Sequence, residues 1–215
     1  MALQRKKISD IPSDAIVLTE DQALKYQANI LNKWKHISDI WGYKFAPYVL
    51  GGTSFFTGFF INSYYRSKFK LLHYGRISTF LPVCFLPAAF SVMTHMEFVL
   101  KDVVLQKRDT CPVCLEMRAS ALQAFIGCGF PLLLAPLANL SMAHKYATYN
   151  LPDVISEPKK VFNLVRVKSA PLANVVFALF IGQALVGSVV TYFESKSVIT
   201  VSQKLALLEK ELENS

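Results

Sequence analysis

Four stretches of this 215-residue chain contain no Asp, Glu, Lys or Arg: 45–65, 77–96, 119–144 and 169–193, of 21, 20, 26 and 25 residues. At about 1.5 Å per helical residue, roughly 20 residues cover the ~30 Å hydrocarbon core of a bilayer. Buried helices of a soluble bundle are usually shorter and keep a polar stripe for water, and these runs keep none. Basic residues close them: Lys44 and Arg66 flank the first, Arg76 precedes the second, Arg118 and Lys145 bracket the third, and Lys168 precedes the fourth. Eight of the nine tyrosines, all but Tyr26, lie at or near a run's end, where a ring with one wet edge prefers the membrane interface. The sequence therefore predicts an all-α membrane protein with four transmembrane helices, and amphipathic helical segments before the first span and after the last.

A mean hydropathy of +0.33 with 53% apolar and 18% charged residues excludes a disordered chain. The net charge of +8 is divided among membrane-proximal loops instead of gathered on one face, which argues against a nucleic-acid partner. Loop 66–76 holds four bases and no acid, and loop 144–168 holds five bases against Asp153 and Glu157. Segment 1–44, loop 97–118 and the tail from Glu194 are closer to balance, so base density puts loops 66–76 and 144–168 on the negative side of the membrane and both termini opposite. Met1–Lys7 is basic, but Asp10, Asp14, Glu20 and Asp21 soon follow. Neither a cleavable secretory signal nor an acid-poor transit peptide is read there, and an organelle address is expected to be internal.

Three regions follow: an N-terminal segment 1–44, a four-span domain 45–193 and a C-terminal segment 194–215. In the first, Thr19 and Gln22 have capping-box spacing, and Ile30, Trp34, Ile37 and Trp41 repeat at helical intervals up to Gly42, a candidate stop. This reads as an interfacial helix leading into the membrane. In the last, Val198, Val201, Leu205, Leu208 and Leu212 form an apolar stripe suited to one partner helix.

Within the spans, Pro82, Pro87, Pro131 and Pro136 remove backbone donors and should bend the second and third helices. Gly51 with Gly58, and Ala178 with Gly182, present small faces for close helix approach. Asn62, His95, Gln123, Asn139, Asn174 and Gln183 are neutral polar groups suited to interhelical hydrogen bonds, and no Asp, Glu, Lys or Arg is placed at mid-bilayer, unlike ion pumps. Cys111-Pro-Val-Cys114, at the start of the third helix, is the one constellation with chemical potential: a structural disulfide, a free pair or a redox centre. Zinc would need two further ligands, and Cys84 and Cys128 fall inside apolar runs. The redox alternative is a four-span membrane thiol-disulfide oxidoreductase using Cys111 and Cys114, although such enzymes usually carry a second pair. No catalytic, cofactor or metal residue is assigned.

The order and spacing of Asn62-Ser63 with Arg66, Cys111 and Cys114 with Arg118, Phe130-Pro131, Ala135-Pro136, Asn139, Ala143, Lys145-Tyr146 and Leu151-Pro152 resemble the transmembrane protein 126 family. The resemblance spans about 45–193 and is densest over 111–152. It implies a non-enzymatic, multi-pass mitochondrial inner-membrane protein that assists assembly of respiratory complex I. The implied partners are membrane-arm subunits of complex I and the mitochondrial complex I assembly (MCIA) complex. That complex contains acyl-CoA dehydrogenase family member nine, the complex I intermediate-associated protein and ECSIT. The implied interaction residues are Asn62, Arg66, Arg118, Pro131, Pro136, Asn139, Lys145, Tyr146 and Pro152. An unassembled subunit would be covered by Ala178 and Gly182 and by the hydrogen-bonding groups of Asn139 and Gln183. For an inner-membrane protein the charge pattern places both termini in the intermembrane space. Lys145, Lys159, Lys160, Arg166 and Lys168 then face the matrix, where membrane lipid is the first expected partner.

Overall fold

The structure, a computed structural model, describes residues 17–106, 111–150, 152 and 157–214. Met1–Lys7, Asp10, Asp14, Lys107, Arg108, Leu151 and Asp153, used in the charge and motif readings, lie outside the described residues. Among those described, all regular structure is helical. The first helix, α1, is Glu20–Asn32, and its start is the expected capping box: Thr19 Oγ1 accepts from the Gln22 amide while Gln22 Oε1 accepts from the Thr19 amide. The helix does not run on to Gly42. It ends at a Lys33 cap, and Trp34 turns aside to donate its indole N–H to Asp39 at 3.0 Å. Gly42 lies inside the next helix, α2 (Trp41–Lys68), where a Cβ would fall 2.3 Å from the Phe193 carbonyl oxygen. Its small size is used for close packing, not for stopping a helix.

Helix α3 spans Arg76–Val104 and α4 spans Pro112–Lys145, each containing π turns. Two of those turns, Leu81–Phe85 and Phe125–Gly129, contain Val83 and Gly127, whose carbonyls lose their i+4 donors to Pro87 and Pro131. Proline thus produces an irregularity in both predicted helices, while Pro136 is carried inside α-helix. A third π turn, Met96–Leu100, has no proline behind it. The last helices are α5 (Pro158–Ser169) and α6 (Ala173–Glu213), joined by a single 3-10 turn.

Three runs are long and apolar enough to cross a membrane: Arg76–Val104, Pro112–Lys145 and Pro158–Leu212. The fourth expected span falls on α2, which is 28 residues long but not among them. Gly51, Gly52, Thr53, Ser54, Thr57, Gly58 and Asn62 dilute its apolarity, and all of them but Gly52 face its neighbours. A Cβ at Gly58 would meet the Val83 carbonyl oxygen of α3 at 2.5 Å, and the Leu50 carbonyl accepts from Gln123 of α4. α2 is the central helix, touching α3, α4 and α6. Outside the bundle the surface is apolar, with Phe56 70% and Ile77 80% exposed, whereas buried positions carry Ser54, Asn62, Gln123, Asn139 and Gln183. A polar interior under an apolar exterior is the arrangement that lipid, not water, favours.

At one end of the bundle, α1, the end of α3, the start of α4 and the second half of α6 share one apolar cluster around Leu31, Val99, Leu115, Val198 and Val201. The stripe expected to receive a partner helix is therefore half covered by this chain's own helices, and only Leu208 and Leu212 remain exposed. At the opposite end, Ile61, Tyr65, Phe69, Leu71, Leu140 and Val161 form a second cluster.

Candidate functional site

The polar residues that the apolar runs must carry are gathered on the bundle axis. Nearest α1, His95 of α3 and Glu194 of α6 are 4% and 1% exposed, with Nε2 and Oε2 2.8 Å apart. One turn along α3, Ser91 Oγ donates to Gln123 Oε1. Gln123 Nε2 donates to Gln183 Oε1 at 2.7 Å and to Ser54 Oγ at 3.1 Å, and Gln183 Nε2 donates to Thr57 Oγ1 at 2.7 Å. Four helices are thus tied at one level. The glycines allow it: a Cβ at Gly127 would lie 2.8 Å from Ser54 Oγ, and one at Gly187 would lie 2.7 Å from the Ala119 carbonyl oxygen.

Towards the other end, Asn139 Nδ2 donates to Asn62 Oδ1 at 2.8 Å and to the Ala135 carbonyl at 2.7 Å, and Asn62 Nδ2 reaches Thr79 Oγ1 at 3.4 Å. Thr79 in turn accepts from Arg66 Nη1 at 2.8 Å. The Arg66 guanidinium, on a residue 6% exposed, also donates to the carbonyls of Leu72, Tyr74 and Gly75. It gathers the carbonyls of the α2–α3 connector, a segment in which Lys70, Leu72 and Gly75 all have positive φ.

The expected site residues therefore separate into two groups. Asn62, Arg66 and Asn139 come together, with Pro131 and Pro136 buried beside them on α4. Tyr146 stacks on Tyr74 at 5.1 Å with Lys145 Nζ above its ring, and half-buried Pro152 lies beyond. Arg118 is at the far end, bound to Asp102 at 2.9 Å and to the Phe98 carbonyl. Cys111 and Cys114 are there too, exposed and unpaired, with Cys111 the N-cap residue of α4. The backbone N–H of Cys114, with help from its thiol, holds the Cys111 thiol below its ordinary range. Buried Cys84 and Cys128 are the remaining free cysteines.

Two expectations change. Asn139 and Gln183 are consumed inside the bundle and cannot face a partner. Ala178, Gly182 and Asn174 remain on the exposed face of α6, and a Cβ at Gly182 would meet nothing within 4 Å. Glu194, which opens the C-terminal segment 194–215, is buried. Its signal lies in helical register: Gln183, Gly187, Val190, Glu194, Val198 and Val201 recur every three or four residues on one face.

An all-helical membrane protein is the class these features define, with lipid-facing apolar helices around a hydrogen-bonded axis. The family described as Transmembrane protein 126 matches residues 25–207, and the chain belongs to it. It is 36% identical over 213 residues to the Transmembrane protein 126 of Drosophila melanogaster, covering 99% of this chain and 96% of that one. No solved structure matches.

Proposed function

We propose that this chain is a four-span, non-enzymatic assembly factor of the mitochondrial inner membrane that holds membrane-arm intermediates of respiratory complex I, within or alongside the MCIA complex. Family membership over 25–207 supports this reading, together with the open small-residue face of α6 at Asn174, Ala178 and Gly182. Unpaired membrane subunits expose polar and small faces that lipid cannot satisfy, and a helix with a matching small face covers them until the permanent neighbour arrives. In this reading α2 is the first span, its ~42 Å length at the usual rise being sufficient. Both termini, Cys111 and Cys114 lie in the intermembrane space, and loops 66–76 and 144–168 lie in the matrix with lipid or assembly partners such as ECSIT.

Knockout mitochondria resolved on native gels test it. The expected result is low complex I, stalled membrane-arm intermediates and largely spared other respiratory complexes. Normal complex I assembly, with no related protein present to compensate, contradicts it. Exposure of the acidified Cys111 thiol favours one second reading, a thiol-disulfide oxidoreductase. Cys111→Ser separates the two: full complementation supports the scaffold, and complete loss at normal protein level supports the oxidoreductase.

A further inference from the structure

Beside the α2–α3 connector is a recess of about 460 Å³ lined by Arg66, Lys70 and Arg76, by the hydroxyls of Ser63 and Ser67, and by the ring of Phe80. Its volume falls in the range of small-molecule sites. Its charge is of one sign: three cations line it, loop 66–76 carries no acid, and no carboxylate among the described residues pairs with Arg66. Four oxygens from Thr79 and the backbone satisfy the Arg66 hydrogen bonds, but carbonyl dipoles do not cancel a full charge in a low-dielectric setting. The connector's positive-φ residues Lys70 and Leu72 hold a conformation that non-glycine side chains rarely adopt. A held guanidinium flanked by two exposed cations and hydroxyl donors forms a receptor for a phosphate oxyanion.

The surroundings identify the rest of the ligand. The recess lies between the end of one apolar run and the start of the next. Leu72 is 76% exposed and Ile77, which opens the next apolar run, is 80% exposed, so apolar surface adjoins the charges. A free anion has no use for that surface, whereas a lipid places its phosphate among the cations and its acyl chains along it.

We propose that the recess between Arg66, Lys70 and Arg76 binds the phosphate of an anionic phospholipid headgroup. The site is separate from the Lys159–Lys160 region and independent of the assembly role. Native mass spectrometry of the full-length protein in detergent, titrated with phosphatidylglycerol or phosphatidylcholine, tests it. Phosphatidylglycerol should be retained preferentially. Removing two cations near an anionic group, each worth about fivefold, should weaken that retention about 30-fold in the Lys70→Gln/Arg76→Gln variant. Both side chains are exposed, so the fold should be kept. Ser67→Asp, which places a negative charge in the recess, should weaken retention too, and Lys159→Gln/Lys160→Gln should leave it unchanged. Inorganic phosphate alone should give no thermal shift. Equal retention of the two lipids, or wild-type retention by Lys70→Gln/Arg76→Gln, overturns the proposal. A thermal shift with inorganic phosphate and no lipid preference overturns the lipid source.

Discussion

Gln123→Leu removes the hub of the mid-membrane network at nearly constant volume. Gln123 donates to Gln183 at 2.7 Å and accepts from Ser91, with longer contacts to Ser54 and the Leu50 carbonyl. Interhelical hydrogen bonds inside membranes average about 0.6 kcal/mol and reach about 1.7, so losing two good and two longer ones should cost about 2 kcal/mol. Much of that cost is the penalty on partners left behind, since Ser91 loses its acceptor and Gln183 Oε1 keeps only Thr53 at 3.4 Å. Gln183→Leu leaves Gln123 Nε2 with only its longer bonds to Ser54, Thr53 and the Leu50 carbonyl, and leaves Thr57 without its donor. The double variant should therefore cost less than the sum of the singles, by about 1 kcal/mol. SDS-titrated unfolding in mixed micelles, followed by far-UV circular dichroism, measures all three. Wild-type stability of Gln123→Leu, or strict additivity, would refute the claim that these residues join the four helices.

Other outcomes follow from single contacts. Gly187→Leu drives a side chain into the Ala119 carbonyl and should destabilise the bundle by about 1–3 kcal/mol in the same titration, while Gly182→Leu should be neutral. Asp39 is held below the ordinary carboxylate range, first by the Lys204 side chain and then by the Trp34 indole. Its contribution should thus be fully present above the unfolded value of about 3.9 and disappear as pH falls through the depressed folded value, read by Trp34 fluorescence and absent in Asp39→Asn. Cys111 should alkylate with a midpoint below the ordinary thiol value of about 8.5, measured by mass spectrometry across a pH series.

Charge-free length identified the helical core because bilayer thickness sets that length independently of any packing detail. Local rules did well where the physics is local: the Thr19 cap depends on a few neighbouring atoms, and the prolines marked the two helices in which π turns precede Pro87 and Pro131. They failed where a distant segment decides. Gly42 resembles a stop until Phe193 is placed against it, and the Val198–Val201 stripe looks open until α1 and α3 cover it. The pairings of Gln123 with Gln183 and Asn62 with Asn139 need tertiary structure, although their polarity inside apolar runs marked all four. The burial of Arg66 and Glu194 needs the structure, because a charge bounding an apolar run reads as its wet edge, whereas here both helices continue past it and bury it. α2 shows the opposite limit: the small residues that make it central also lower the apolarity by which a span is recognised.

Complementation with Ala178→Leu/Gly182→Leu tests the central claim most directly, because it fills the small-residue face of α6 that the bundle leaves open, without touching an internal contact. In knockout cells expressing this variant at wild-type level, native gels should show complex I stalled at membrane-arm intermediates, as in cells without the protein, while Gly52→Ala, at another position with open space around it, restores assembly. Full restoration of complex I by Ala178→Leu/Gly182→Leu would contradict the account.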